Sequence, residues 1–155
     1  MEAPEIRKIP AQDVIAMIHH GSHDDIGRVY RALRQWATEH GVEVIGLGHT
    51  TFLSAPHEFD PASASYEVCL PVRGAVRGDT NVTVKRLPET TVAAVRVKGP
   101  YGDIPAHYSE MLAWLAAENR EIVGPPREVY LRRPDTHGRG KPSEYVTELQ
   151  FPIAL

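Results

Sequence analysis

Apolar and polar positions along the chain follow two alternating rhythms, and the whole pattern runs through twice. Glu5 to Ile9 and Asp13 to His19 read as a strand pair joined at Pro10. Val82 to Leu87 and Thr91 to Lys98 read the same way, joined at Pro88. The spacing then changes to steps of three and four. In the first half it runs through Ile26, Val29, Tyr30, Leu33, Trp36, Ala37 and His40, and in the second through Ile104, Tyr108, Met111, Leu112 and Leu115. This is the buried stripe of an amphipathic helix lying on a sheet. Asp25 and Asp103 stand where an N-cap is wanted, and Pro105 falls in the first turn, where its missing N–H costs nothing. Gly41 and Asn119 suit a left-handed C-cap. After each helix come a short strand (Thr50 to Ser54, Glu128 to Arg132), a Pro-containing polar loop and a closing strand (Tyr66 to Val72, Tyr145 to Ile153).

The halves also agree residue by residue. At an offset of 78, Ile9-Pro10 meets Leu87-Pro88, Gly21 meets Gly99, and Asp25-Ile26 meets Asp103-Ile104; Tyr30, Trp36, Gly46 and Pro56 meet Tyr108, Trp114, Gly124 and Pro134. Near the end the offset becomes 81, where Glu67 and Pro71 meet Glu148 and Pro152, so three extra residues lie within Asp135 to Ser143. Two copies are too few for a solenoid. They predict an internal duplication that pairs about an approximate two-fold axis and leaves a cleft where the copies meet. The expected organisation is a single domain over 1–155, with module one at 1–73, a linker at 74–81 and module two at 82–155. The expected fold class is α+β: two pseudo-symmetric βαββ modules, a mainly antiparallel sheet, one long helix per module and a central ligand groove.

Composition narrows the function. A length of 155 residues, 42% apolar and 24% charged, suits one ordinary globular domain. A net charge of -3 argues against a phosphate-backbone binder, so no direct nucleic-acid contact is expected. The basic clusters Arg132-Arg133 and Arg139 to Lys141 read as solvated loop charge. Cys69 is the only cysteine, which excludes an intramolecular disulfide framework and a zinc ribbon and fits a reducing cytoplasm. There is no signal-peptide pattern and no apolar run near the roughly 20 residues that span a bilayer, so no membrane association is expected. His19, His20 and His23 are close together, but they sit at a strand end running into a turn, and no metal or other cofactor is expected.

Candidate chemistry centres on the recurring glutamates. Side chains alternate across a strand. Val68, Leu70 and Val72 therefore share one face while Glu67 shares the other with Cys69. Likewise Tyr145, Thr147, Leu149, Phe151 and Ile153 oppose Val146, Glu148 and Gln150. The apolar faces should meet the helices and the glutamates should lie opposite, either simply wet or in the trough between modules. A carboxylate in a closed trough must gain a proton, a donor or a cation. An acidic floor with aromatic walls suits a lipophilic cation. Trp36 and Trp114 lie about 80° around the helix from Ile26 and Ile104, at the edge of the stripe. Tyr101 sits in the loop entering the second helix. Each of these aromatics taken singly reads first as core or loop packing.

The segments Gly99-Pro100-Tyr101-Gly102-Asp103-Ile104, Tyr108, Leu112-Ala113-Trp114-Leu115, Glu128-Val129-Tyr130-Leu131 and Tyr145 through Ile153 stand in a characteristic order. Together they resemble the GyrI-like small-molecule-binding domain, which is also the effector-binding domain of AraC- and MerR-type bacterial transcription regulators. The resemblance covers essentially the whole chain and is strongest from Val82 onward. It implies a groove for bulky, often cationic, aromatic compounds. The family's acidic pocket residue falls on Glu148, and its groove aromatics on Trp36, Tyr101, Tyr108 and Tyr130. Trp114, Phe52 and Glu67 complete the candidate ligand-binding set. The chain has no room for a helix-turn-helix segment and looks like a stand-alone, cytoplasmic member. The expected function is binding of a bulky aromatic, cationic small molecule, multidrug-style. One alternative is a hydrolase of cyclopropane-type electrophiles with Glu148 as acid/base and Tyr101 assisting. Another is a protein partner that inhibits DNA gyrase. A homodimer is left open.

Overall fold

Two joins of two residues each decide the topology. The structure is a computed structural model that describes residues 2–53, 64–100, 103–132 and 141–155. Its elements run β1 (Glu5–Ile9), β2 (Gln12–Gly21), a short 3-10 turn (His23–Asp25), α1 (Ile26–Glu39), β3 (Glu43–Val44), β4 (His49–Phe52) and β5 (Ala64–Arg73). They continue with β6 (Thr83–Leu87), β7 (Thr90–Lys98), α2 (Ile104–Ala117), β8 (Arg127–Arg132), a second 3-10 turn (Pro142–Glu144) and β9 (Val146–Pro152). Only Pro10-Ala11 separates β1 from β2, and only Pro88-Glu89 separates β6 from β7. A two-residue hairpin needs residues that accept positive φ, typically Gly or Asn. Proline instead fixes φ near -65° and keeps the residue before it extended. Neither join therefore folds back. β1 pairs with β7, placing Ile6 opposite Ala93, and β6 pairs with β2, placing Val84 opposite Ile15. This corrects the expected pairing of neighbouring strands within each half: the first strand of each half completes the sheet of the other.

The chain accordingly forms two compact units, Met1–Ile9 with Thr90–Leu155, and Pro10–Glu89. The first unit is an antiparallel sheet ordered β1-β7-β9-β8 with α2. The second is ordered β4-β5-β2-β6, with β3 also on β5, and carries α1. The fold class is α+β with a mainly antiparallel sheet, as expected.

Each helix has 14 residues and buries the stripe read from the sequence: Ile26, Val29, Tyr30, Leu33 and Ala37 on α1, and Ile104, Tyr108, Met111 and Leu115 on α2. In the first unit the stripe meets Ala93, Val95 and Val97 of β7 and Leu149 and Phe151 of β9, with Ile153 just beyond. Leu33, Met111, Leu149 and Phe151 are fully enclosed. Both helices end in the same way. Gly41 (φ 65) and Asn119 (φ 54) turn left-handed. Val42 N–H then donates to the Ala37 carbonyl at 2.8 Å and Arg120 N–H to that of Leu115 at 2.9 Å. This satisfies carbonyls that the helix leaves open. The starts differ from expectation. Asp25 and Asp103 occupy the N-cap position, but neither side chain caps the helix. The Asp25 carboxylate turns instead to His19 Nε2 at 2.9 Å. Among the described residues no helix is long and apolar enough to cross a membrane.

Candidate functional site

Register places Glu148 on the sheet face away from α2. Its neighbours across β7 and β8 are Arg96 and Val129. Leu149 and Phe151, one step out of phase, face the helix. Glu148 is nonetheless buried, at 2% exposure. Burial of a carboxylate demands compensation, and four side-chain contacts supply it. Arg7 of β1 reaches both carboxylate oxygens, Arg96 Nε donates to Oε2 at 3.2 Å, and Gln150 Nε2 donates to Oε1 at 2.9 Å. Burial alone pushes the Glu148 carboxyl up. The hydrogen bonds from Gln150, Arg7 and Arg96, with the Arg7 charge, outweigh it and hold the group below the ordinary glutamate value.

The second unit holds a simpler copy. Glu67, also buried, forms an ion pair with Lys85 of β6, and the Cys69 thiol donates to its Oε1 at 3.7 Å. Lys85 stands 78 residues after Arg7. Cys69 and Gln150, each two residues beyond its glutamate, match at the offset of 81. The copies part at one place. Opposite Glu148 stands Arg96, whereas opposite Glu67 stands Ile18, which is 56% exposed. Sequence reasoning missed Arg7, Lys85 and Arg96. The available signal was a basic residue recurring at the repeat offset in a strand otherwise read only for its apolar positions.

Beside Glu148 the first unit has an open hollow of about 270 Å³, lined by Glu2, Ala3, Glu5, Arg7, Ala94, Val95, Arg96 and Glu148. That lies just below the range of roughly 300–1,000 Å³ typical of small-molecule sites. Glu5 stands at its rim, 70% exposed and 3.9 Å from Arg7.

Tyr108 and Tyr130 are not at this face. Tyr130 pairs with Thr147, so it lies on the helix side of the sheet. Both hydroxyls donate to the fully buried Glu128, Tyr108 at 3.0 Å and Tyr130 at 3.1 Å. Burial, then the Glu128 charge, raise the Tyr108 hydroxyl well above the usual tyrosine value. Trp114 packs partly buried against the α2 core. In the second unit, Trp36 Nε1 donates to Asp79 at 2.8 Å, and its ring stacks on His40 at 4.1 Å. Asp79 also accepts from the Asn81 and Val82 amides, so Trp36 anchors the segment expected as a linker. Phe52 is buried against Tyr66 and stacks on His23. Tyr101 lies outside the described residues. The three clustered histidines take separate neighbours: His19 meets Asp25, His20 meets Ser65 and His23 meets Phe52.

The chain is similar to the C-terminal domain of EcmrR, with 19% identity and a TM-score of 0.87, over 97% of this chain and 96% of that one. Against EcmrR in its DNA complex it spans only 56% of the neighbour's length. It is also similar to a hydrolase from Listeria innocua (14% identity, TM-score 0.71, 98% of this chain and 92% of that one). A third neighbour is SAV2435 bound to tetraphenylphosphonium (13% identity, TM-score 0.61, 99% and 94%). At these identities the likeness is one of fold. No curated protein matches the chain in sequence. The family described as GyrI-like small molecule binding domain matches residues 2–154, essentially the full length. The chain therefore belongs to the GyrI-like small-molecule-binding domain family.

Proposed function

We propose that this protein binds a small organic molecule on the sheet face of the first unit that carries Glu148. One observation carries the reading: a buried carboxylate, held ionised by Arg7, Arg96 and Gln150, stands beside an open hollow of about 270 Å³. Buried, hydrogen-bonded charge of this kind is expensive to assemble and gathers at functional sites. The hollow offers oriented donors beside the apolar Ala94 and Ala3, the mixture that fixes a ligand's orientation. Family membership points the same way.

Binding accounts for the geometry better than turnover does. A general acid must hold a proton at working pH. Glu148, with its pKa lowered by its partners, has none to give. The bulky cation expected from the sequence has support in SAV2435, solved with tetraphenylphosphonium. In this chain such a ligand competes with Arg7 and Arg96 for one carboxylate, which makes it the second reading.

The test is a melting-temperature panel with benzoate, 1-naphthol and tetraphenylphosphonium. A ligand that binds only the folded state raises the melting temperature with concentration. The proposal expects a saturable rise with at least one compound, altered in the Glu148→Gln variant. A flat response to all three contradicts it.

A further inference from the structure

We propose that the hollow beside Glu148 selects a compact ligand bearing a carboxylate, held by the guanidinium of Arg96. The inference rests on the binding reading above and names its ligand class. The duplication supplies an internal control. In the second unit, among the described residues, Lys85 alone is the charge partner of the buried Glu67, and the place opposite that glutamate is taken by Ile18. In the first unit Arg7 does what Lys85 does, contacting both oxygens of Glu148. Arg96 is then a second cation on a single negative charge. It spends only Nε on Glu148, and among the described residues its two terminal nitrogens have no protein acceptor. Arg96 is 62% exposed and lines the hollow. A planar fork of N–H groups fits a carboxylate in two parallel hydrogen bonds.

The hollow is lined by two guanidinium groups, Arg7 and Arg96, and by three carboxylates, Glu2, Glu5 and Glu148. Arg127, opposite Gln150 on β8, stands on the same face as Glu148. Among the described residues, Arg7, Arg96 and Arg127 share that face with the buried Glu148, and of the three Arg7 and Arg96 line the hollow. Glu5 and Glu2 are exposed at the rim, where water and salt screen them, and Glu5 is turned towards Arg7. Glu148 has no oxygen to spare for a cation, because Oε1 already accepts from Arg7 and Gln150 and Oε2 from Arg7 and Arg96. Size points the same way, since about 270 Å³ suits a single ring with its acid group better than a drug-sized body.

The test compares probes of equal size and opposite charge on the full chain. Benzoate and benzylammonium are titrated calorimetrically into the wild type, Arg96→Gln and Ile18→Arg. Benzoate should bind the wild type about tenfold tighter than benzylammonium or better, as expected for charge-assisted hydrogen bonds. Arg96→Gln should remove that preference without changing the melting temperature of the unliganded protein by more than a few degrees, since Arg7 and Gln150 remain on Glu148. Ile18→Arg, which copies the arginine into the second unit, controls for added surface charge and should leave the first site's affinity unchanged. A preference for benzylammonium, or benzoate binding that survives Arg96→Gln, overturns the inference and leaves small-molecule binding standing. Binding of 1-naphthol or tetraphenylphosphonium alone does the same. No binding of any of the four overturns both.

Discussion

Arg7 and Lys85 occupy equivalent places in the two halves, 78 residues apart, and each carries its charge to a buried glutamate: Arg7 to Glu148, Lys85 to Glu67. Each sits on the first strand of its half, and each of those strands completes the sheet of the other half. The ion pairs therefore tie both strand exchanges in place. Their strengths should differ. Removing one partner of a buried pair leaves an uncompensated charge, which costs about 3–5 kcal/mol when burial is complete. Arg7→Met leaves Glu148 with Arg96 and Gln150, so about 1–2 kcal/mol is expected. Lys85→Met leaves Glu67 with the weak donor Cys69 and should cost about 2–4 kcal/mol. Urea denaturation of the two variants measures this, and the reverse order contradicts the pairing.

The Glu148 carboxyl should shape stability in acid. Its folded pKa lies below its ordinary value of 4.5, so the folded state favours the ionised form. Such a group adds stability that is complete above about pH 5 and is lost as pH falls through the folded pKa. Glu148→Gln should flatten the acid limb of a stability–pH curve below pH 5 and leave the neutral-to-alkaline limb parallel to wild type. An unchanged acid limb would contradict the ion-pair geometry.

Two tyrosines are among the partners of Glu128. It is fully buried, and Tyr108 and Tyr130 each donate a hydroxyl hydrogen bond to it. Tyr108→Phe keeps the ring in the core and removes one donor. The expected cost is about 1–3 kcal/mol, the desolvation of an acceptor left short. Ligand affinity at the Glu148 face should not change, because Tyr130 and Glu128 lie on the helix side of the sheet. Coupled denaturation and binding measurements separate the two effects.

The left-handed residues after the helices give a paired test. Gly41 adopts φ 65 without strain, and Asn119 adopts φ 54 at some cost. Gly41→Ala should destabilise by about 1 kcal/mol, whereas Asn119→Gly should be neutral or mildly stabilising. Thermal melts of both variants check the opposite signs.

Much of the architecture was legible in the sequence, for identifiable reasons. The stripes from Ile26 to Ala37 and from Ile104 to Leu115 mark both helices because nothing else requires that spacing. Gly41 and Asn119 announce the helix ends through their tolerance of positive φ. Alternation along Glu148 to Phe151 separates the glutamate from the core face, because side-chain direction in a strand is set locally. The strand exchange was harder to read. Hydrophobic pattern does not choose a partner strand, and the signal was only the absence of a positive-φ residue in Pro10-Ala11 and Pro88-Glu89. With the exchange unseen, Arg7 and Glu148, 141 residues apart, gave no reason to be considered together. Asp25 shows a local rule overridden: its carboxylate meets His19 Nε2 and does not cap the helix.

The central claim is that ligand binds the first unit at the Glu148 face. Backbone amide shift mapping of the full chain with benzoate, and separately with tetraphenylphosphonium, tests it most directly. Whichever compound binds should produce its largest perturbations at Arg7, Ala94, Arg96 and Glu148. Perturbations centred on any other part of the chain would overturn it.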